Sequence, residues 1–122
     1  MLSYQHSYHA GNLADIHKHA ALAWVLNYLL KKPKPLTYLE SHAGRGLYDL
    51  TSRESAKTGE AEAGITLALK TGWFDPAHPY LRALQECRAL HGVHTNTHAH
   101  THTHTHTRAQ TTPCEKKYCS LH

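Results

Sequence analysis

An acidic residue followed by two glycines is the pattern in this sequence that most suggests chemistry. Glu40, Gly44 and Gly46 fit E-x-x-x-G-x-G within the stretch TYLESHAGRGLYDL, residues 37–50. In α/β proteins a strand delivers such an acid, and the glycines let the backbone turn tightly beside a ligand. Because no third glycine follows to cradle a pyrophosphate, the pattern favours S-adenosylmethionine over a dinucleotide. A plain tight turn that binds nothing is the alternative.

The residues before this turn predict a helix and then a strand. Apolar side chains recur three or four residues apart, at Leu13, Ile16, Ala20, Trp24 and Tyr28. This spacing predicts an amphipathic helix to about Leu30, with Asn12 as its N-cap and Asp15 favouring its first turn. The prolines of KKPKP, residues 31–35, end the helix. LTYLE, residues 36–40, then predicts a short, mostly buried strand.

The residues after the turn predict two further helices, at 59–70 and 78–92. Gly72 and Gly92 are plausible helix stops, and Asp75, Pro76 and Pro79 are expected in the loop between the helices. The order of helix, strand, glycine turn and helical region is how an α/β domain begins.

Composition limits the class of protein. A chain of 122 residues is long enough for one domain. Residues 1–92 hold ten Lys or Arg against eight Asp or Glu, an excess too small to imply nucleic acid by itself. Three cysteines, one in a predicted helix, do not resemble a secreted disulfide scaffold. The chain shows no secretory leader and no apolar run long enough to span a membrane, so we expect a cytoplasmic protein.

The C-terminal segment, residues 93–122, is of low complexity. Histidine and threonine alternate at 98–107, with one alanine in place of a threonine. Such a run can bind zinc, nickel or copper, or can form a strand with histidines on one face. It is also what a CA dinucleotide repeat encodes in one frame, so the chain could have left its proper reading frame here. In each case too little apolar surface is available to offset chain entropy, and we predict disorder.

Three motifs together resemble one family. MLSYQHSYHAGNLADIHKH at residues 1–19, YLESHAGRGLY at 38–48 and KTGE at 57–60 are similar to the ribosomal large-subunit RNA methyltransferase J family. The resemblance covers about residues 1–90. It implies transfer of a methyl group from S-adenosyl-L-methionine to the N6 amine of one adenine in 23S rRNA, with no obligate protein partner.

The resemblance also implies the fold. We expect the α/β fold of a truncated Rossmann-like class I methyltransferase in residues 1–92. A helical insertion would occupy about residues 48–92, and the disordered tail would follow.

The family pattern assigns roles to single residues. It implies that His19 and His42 line the cofactor pocket, with Glu40, Gly44 and Gly46 beside them, and that Tyr4 contacts the RNA. The alternatives are structural: His19 could be a surface residue paired with Asp15, His42 could fill a turn, and Tyr4 could simply pack, although tyrosine stacks well on an unstacked base.

The catalytic motif of the family is missing from this sequence. Family members hold the flipped adenine with Asp-Pro-Pro-Tyr, whereas the one Asp-Pro here is Asp75-Pro76 in a predicted loop. We therefore expect no catalytic residue in this chain and no activity from the chain alone. Two other functions stay open. One is a DNA adenine-N6 methyltransferase, and the other is a non-enzymatic, metal-binding His-rich protein.

Overall fold

The computed structural model describes residues 3–39, 41 and 44–97. A short 3-10 helix at His6–Tyr8 precedes helix α1, Leu13–Leu29, and strand β1, Leu47–Asp49, follows the glycine turn. Helix α2 is Arg53–Thr58; a π-helical segment, Glu62–Thr66, then continues into α3, Leu67–Lys70. Helix α4, Pro79–His91, and strand β2, Thr95–Thr97, complete the described fold.

Helix α1 begins as its sequence predicts. The side chain of Asn12 accepts a hydrogen bond from the backbone N–H of Asp15 at 2.9 Å, which satisfies one of the free donors of the first turn. The helix ends at Leu29, ahead of the two prolines. The N-cap and the extent of the predicted helix are therefore confirmed.

The predicted apolar face of α1 is largely wrong. Ile16 is buried as expected, but Trp24 is 56% exposed and Tyr28 is 53% exposed. The buried face carries Ala23 and Leu26 instead. Both sides of α1 are apolar, and α4 and the π-helical segment cover only one of them, so periodicity alone did not identify the packed side.

The core lies between α1, the π-helical segment and α4. Its fully packed members are Ile16, Ala23, Ala61, Ile65, Ala68, Tyr80 and Leu84. Both later helices of the sequence analysis are confirmed. Gly72 and Gly92 end them with φ of +68° and +109°, and Pro79 opens α4 at its first turn rather than lying in the loop.

The π-helical segment marks a close approach between two pieces of backbone. The N–H of Ile65 donates to the carbonyl of Gly11 at 2.8 Å, outside its own helix. Gly64 lies so near that a Cβ placed there would be 2.1 Å from the same carbonyl oxygen. This diverted hydrogen bond explains the wider helical turn, and it fixes the N-terminal loop against the helix.

The predicted strand at 36–40 is wrong for residues 36–39, which form neither helix nor strand, and Glu40 is outside the described residues. Leu39 is 90% exposed rather than buried. A strand needs a neighbouring strand to satisfy its backbone groups, and the described sheet consists of β1 and β2 and does not include residues 36–39. The Rossmann-like sheet therefore stays a prediction.

The described sheet is an antiparallel pair of β1 and β2, in which Leu47 lies opposite Thr97 and Asp49 opposite Thr95. The prediction of a disordered tail from residue 93 therefore does not hold at 95–97; residues 98–122 are outside the described range. Helix α4 holds β2 in place, since Arg88 Nε donates to the carbonyl of Thr95 at 3.1 Å. None of the described helices has the length and apolar character that crossing a membrane requires.

Candidate functional site

A buried carboxylate connects the N-terminal segment to helix α1. Asp15 is only 1% exposed, and its Oδ2 accepts hydrogen bonds from His6 Nε2 at 2.7 Å and from the backbone N–H of Gly11 at 3.1 Å. Its other oxygen lies 3.5 Å from Lys18 Nζ and 3.8 Å from His19 Nε2. The N-cap geometry of α1 points Asp15 inward, where one carboxylate serves three side chains and one backbone amide.

Tyr4 is held at the outer end of this chain of hydrogen bonds. Its hydroxyl lies 2.7 Å from His6 Nδ1; in a neutral His6 whose Nε2 donates to Asp15, Nδ1 accepts from the Tyr4 hydroxyl. The ring of Tyr4 stacks on His9, with centroids 5.5 Å apart and planes 3° apart. The hydrogen bond and the stacking fix the orientation of Tyr4 while leaving it 73% exposed.

A second carboxylate fixes His9 from the other side. His9 Nδ1 lies 3.0 Å from both oxygens of Glu60, and Asn12 Nδ2 donates to Glu60 at 2.9 Å. The pKa of Glu60 is lowered, mainly by the hydrogen bond from Asn12 and to a smaller extent by the hydrogen bond from His9. Glu60 belongs to the KTGE motif, so this contact joins the first and third of the three motifs.

The second motif joins the same cluster through Tyr48. The buried Tyr48 ring packs edge-on against His6, with centroids 5.2 Å apart, and its hydroxyl accepts from the backbone N–H of Arg45 at 3.0 Å. Burial raises the pKa of Tyr48. Since Arg45 lies between Gly44 and Gly46, Tyr48 fixes the glycine turn against the histidine cluster. Gly46 itself has φ of +74°, a conformation that glycine adopts without strain.

A small polar cleft opens beside this junction. It has a volume of about 170 Å³ and is lined by Gln5, Ser7, Arg45, Leu47, Tyr48, Asp49, Ser52 and Glu54. Complete ligand pockets usually measure about 300–1,000 Å³. The cleft is thus large enough for only part of a nucleoside-sized ligand.

The structure brings some of the predicted site residues together. Tyr4 and His19 both connect to Asp15, Tyr4 through His6 and His19 directly, and Gly44 and Gly46 connect to the same cluster through Tyr48. His19 is paired with Asp15 but is 8% exposed, so it is not the surface residue of the structural alternative. Glu40 and His42 lie outside the described residues. The roles of all six in binding stay predictions.

The sequence analysis missed the residues that hold the cluster together. Asp15 was interpreted as a residue of the first helical turn and as a possible partner of His19, but not as the centre of a cluster, and His6, Tyr48 and Glu60 had no role. One signal was present: all four lie inside the three quoted motifs. Contacts between the three motifs connect these four residues to Tyr4, to His19 and to the glycine turn.

The cluster has the properties of a binding surface. It presents an exposed, oriented aromatic ring, a nearby lysine and a glycine turn held by a buried tyrosine, all of which suit a planar base and a polar ligand. Within residues 3–39, 41 and 44–97, no three His, Cys, Asp or Glu side chains are grouped as metal ligands.

Comparison with known proteins identifies similar chains. The family model described as ribosomal RNA large subunit methyltransferase D, RlmJ, matches residues 33–91. The ribosomal RNA large subunit methyltransferase J of Haemophilus influenzae is 54% identical over 65 residues, and that of Escherichia coli is 49% identical over 65 residues. Each match covers 53% of this chain and 23% of the relative, so the chain spans about a quarter of the length of these curated relatives.

Proposed function

Because this chain belongs, over residues 33–91, to the RlmJ family of ribosomal RNA large subunit methyltransferases, we propose that it carries the N-terminal part of an adenine-N6 methyltransferase. The methyl donor is S-adenosyl-L-methionine, the substrate is an adenine of 23S rRNA, and the compartment is the cytoplasm. The two curated relatives carry the name of ribosomal RNA large subunit methyltransferase J.

One structural observation carries the proposal. The three sequence motifs converge on a single cluster: Asp15 and His6 from the first, Tyr48 from the second and Glu60 from the third. Residues that each stabilised only their own turn would not need to contact one another. A shared cluster places the segment proposed for RNA beside the segment proposed for the cofactor.

On this proposal Tyr4 is the RNA-contacting group. Its ring is 73% exposed, which leaves ring surface for stacking on a base that has been turned out of the RNA, while the stacking on His9 fixes the plane of the ring and the hydrogen bond to His6 holds its hydroxyl. Asp15 is a positioning residue, since it acts through His6 and His19 rather than on the substrate.

The described residues fit part of a cofactor site. The glycine turn offers backbone close to a ligand, and His19 contributes an imidazole beside Asp15. S-adenosyl-L-methionine supplies an electrophilic methyl group when bound. The acid that would hold its ribose hydroxyls is expected on a later strand, and the 170 Å³ cleft is too small for the whole molecule. His42 and Glu40 belong to this site in the proposal.

The 122-residue chain alone is proposed to be inactive. Methylation of an adenine amine requires the base to be held with its amino group hydrogen-bonded, because the nitrogen lone pair is delocalised into the ring. The sequence contains no Asp-Pro-Pro-Tyr to do this. The chain would bind RNA without transferring a methyl group.

The first experiment is a transfer assay with radiolabelled S-adenosyl-L-methionine and unmodified 23S rRNA. We expect no incorporation above background. Measurable turnover would show that this chain holds a catalytic group outside the family pattern and would refute the proposed inactivity.

The second experiment tests the RNA-contacting role by fluorescence anisotropy with a fragment of 23S rRNA. Tyr4→Ala should weaken binding by about 1–3 kcal/mol, the usual worth of one stacked base. Tyr38→Ala, which removes another exposed tyrosine, serves as the control and should leave affinity unchanged. Equal affinities for Tyr4→Ala and the unchanged chain, or tighter binding to DNA of matched sequence, would contradict the proposal.

A further inference from the structure

The hydroxyl of Tyr4 does not set the plane of its ring. Tyr4 Oη lies 2.7 Å from His6 Nδ1, but the hydroxyl oxygen of a tyrosine lies on the axis of its Cβ–Cγ bond. A hydrogen bond at that atom holds the end of the ring and still allows the ring to rotate about this axis. Stacking on a base depends on the plane of the ring, so a second constraint is needed.

The imidazole of His9 supplies this constraint. Its ring is parallel to the ring of Tyr4 within 3°, with centroids 5.5 Å apart. Rotation of either ring about its own Cβ–Cγ bond would end the parallel arrangement. The plane of Tyr4 is therefore only as well defined as the plane of His9.

The backbone of His9 is held on both sides, which leaves the rotation of its side chain to be fixed. The N–H of His9 donates to the carbonyl of His6 at 2.8 Å, and the carbonyl of His9 accepts from the N–H of Asn12 at 3.1 Å. Its side chain is 38% exposed, so packing alone does not enclose the imidazole. Fixing the ring requires a contact with an atom that lies off the rotation axis.

Glu60 makes this contact. His9 Nδ1 lies 3.0 Å from each of the two carboxylate oxygens of Glu60. Because a carboxylate only accepts hydrogen bonds, Nδ1 carries the hydrogen. Nδ1 lies off the Cβ–Cγ axis, so this hydrogen bond restricts the ring rotation that the hydroxyl bond of Tyr4 cannot restrict.

The segment that carries Glu60 is itself held against the N-terminal loop. Asn12 Nδ2 donates to Glu60 at 2.9 Å, and the hydroxyl of Thr58 donates to the carbonyl of Tyr8 at 2.6 Å. Gly59 lies between these two contacts and ends α2 with φ of +66°, a turn that glycine makes without strain. The carboxylate therefore has a defined position from which to hold its partner.

We propose that Glu60 is a positioning residue for RNA binding: it fixes the imidazole of His9, and the imidazole fixes the plane in which Tyr4 meets a base. This role rests on the proposed function, in which Tyr4 is the RNA-contacting group. It adds that the segment after α2, and not the N-terminal segment alone, determines how the base is received.

The sign of the effect separates this role from simple electrostatics. A carboxylate repels the phosphates of RNA, so removing one should tighten binding or leave it unchanged. Glu62→Ala is the matched control, because it removes an exposed carboxylate two residues away. Glu60→Ala should instead weaken binding at least about fivefold, the factor that corresponds to about 1 kcal/mol, the lower end of the usual worth of one stacked base.

Fluorescence anisotropy of the full chain with the same fragment of 23S rRNA measures these affinities. In a Tyr4→Ala background, Glu60→Ala should cause no further loss, because the ring that it positions is gone. Glu60→Gln keeps an acceptor for His9 and should bind RNA more tightly than Glu60→Ala does. Circular dichroism should show the same helix content for every variant, so that a loss of affinity is not a loss of fold.

A measurement without RNA reports on the ring directly. In nuclear magnetic resonance spectra of the chain with isotope-labelled tyrosine, the Tyr4 ring signals are those that disappear in Tyr4→Ala, and the stacked His9 should displace them by its ring current. Glu60→Ala should move these signals toward those of a freely exposed tyrosine, whereas Glu62→Ala should leave them in place.

The outcomes distinguish this role from the proposed function. Unchanged RNA affinity in Tyr4→Ala would refute the RNA-contacting role of Tyr4 and, with it, the role of Glu60 in RNA binding. A loss in Tyr4→Ala without a loss in Glu60→Ala would overturn the positioning role alone. Additive losses in the double variant, or Tyr4 ring signals that Glu60→Ala does not move, would also overturn the positioning role.

Discussion

Replacing Asp15 by asparagine removes the charge at the centre of the cluster while keeping the shape of the side chain. In the unchanged protein, His6 Nε2 and the Gly11 N–H lie 2.7 and 3.1 Å from Asp15 Oδ2. The amide oxygen of asparagine can still accept both hydrogen bonds, but as a neutral group. Hydrogen bonds to charged groups contribute about 1.5–3 kcal/mol and neutral ones about 0.5–1.5, so the two bonds together lose about 2 kcal/mol. The ion pair with Lys18, whose side chain is 65% exposed, adds at most about 1 kcal/mol.

Asp15→Ala should be worse than Asp15→Asn, because it leaves both donors buried without an acceptor. Each buried donor left without an acceptor costs about 1–3 kcal/mol. Urea unfolding followed by circular dichroism measures both losses. Asp75→Asn is the control: Asp75 is exposed and accepts from the N–H of Ala77 at 2.7 Å, a bond that asparagine can also accept, so its effect should stay within about 0.5 kcal/mol.

The prediction depends on the order of the two losses in unfolding free energy, with Asp15→Ala losing more than Asp15→Asn. Equal unfolding free energies for Asp15→Asn and Asp15→Ala would mean that the retained acceptor contributes nothing, and a loss for Asp15→Asn as small as for Asp75→Asn would mean that the charge contributes nothing. Either result would refute the role given to Asp15 as the positioning residue for His6 and Tyr4.

Three further changes test the packing. Gly64→Ala should destabilise the fold by more than about 1 kcal/mol even though alanine favours helix by about that amount, because the new Cβ would meet the Gly11 carbonyl at 2.1 Å. Asn96→Leu should stabilise the protein by about 1–2 kcal/mol, since Asn96 is fully buried with no described partner for its amide. His78 caps α4 by accepting from the N–H of Tyr80, and burial lowers its pKa. That cap, worth about 1 kcal/mol, requires a neutral ring, so its contribution is present above about pH 6.5 and is lost as pH falls through the lower folded pKa.

Urea unfolding measures all three changes, and each has its own control. Gly59→Ala, at a glycine with φ of +66° and open space around it, should cost only the conformational strain of about 1–2 kcal/mol. Asn27→Leu changes an asparagine that already accepts from Arg82 and should not stabilise. His78→Asn keeps a cap that does not titrate, so the loss between pH 7.5 and pH 5 should be smaller than in the unchanged chain. A stabilising Gly64→Ala, a destabilising Asn96→Leu or equal pH dependence would contradict the corresponding contact.

Local signals in the sequence predicted the helices well. The N-cap at Asn12 and the glycine stops at Gly72 and Gly92 act through a few neighbouring backbone groups, so their effect is visible in a short stretch of residues. The packed side of α1 was not predictable in the same way. Both sides are apolar, and only the positions of α4 and the π-helical segment decide which one is buried.

Contacts between distant residues escaped the sequence analysis. The strand predicted at 36–40 depended on neighbours that the described residues do not provide, whereas β1 and β2 are only three residues each and have little apolar alternation to reveal them. For the candidate site, the family pattern selected Tyr4 and His19. The helical spacing already offered Asp15 as a partner of His19, but the link from Asp15 through His6 to Tyr4 could be found only from the fold, because it joins α1 to residues before the helix.

The pairing of Leu47 with Thr97 has a consequence for any chain that extends past the sheet. Fifty residues of sequence separate these two positions. Even so, Thr97, the last described residue, lies opposite Leu47, and Leu47 directly follows Gly46 in the sequence. Whatever polypeptide follows residue 97, whether the His/Thr-rich run or a different continuation, is attached next to the glycine turn. A change of sequence at that junction would alter the neighbourhood of the turn without touching a single residue of the turn itself.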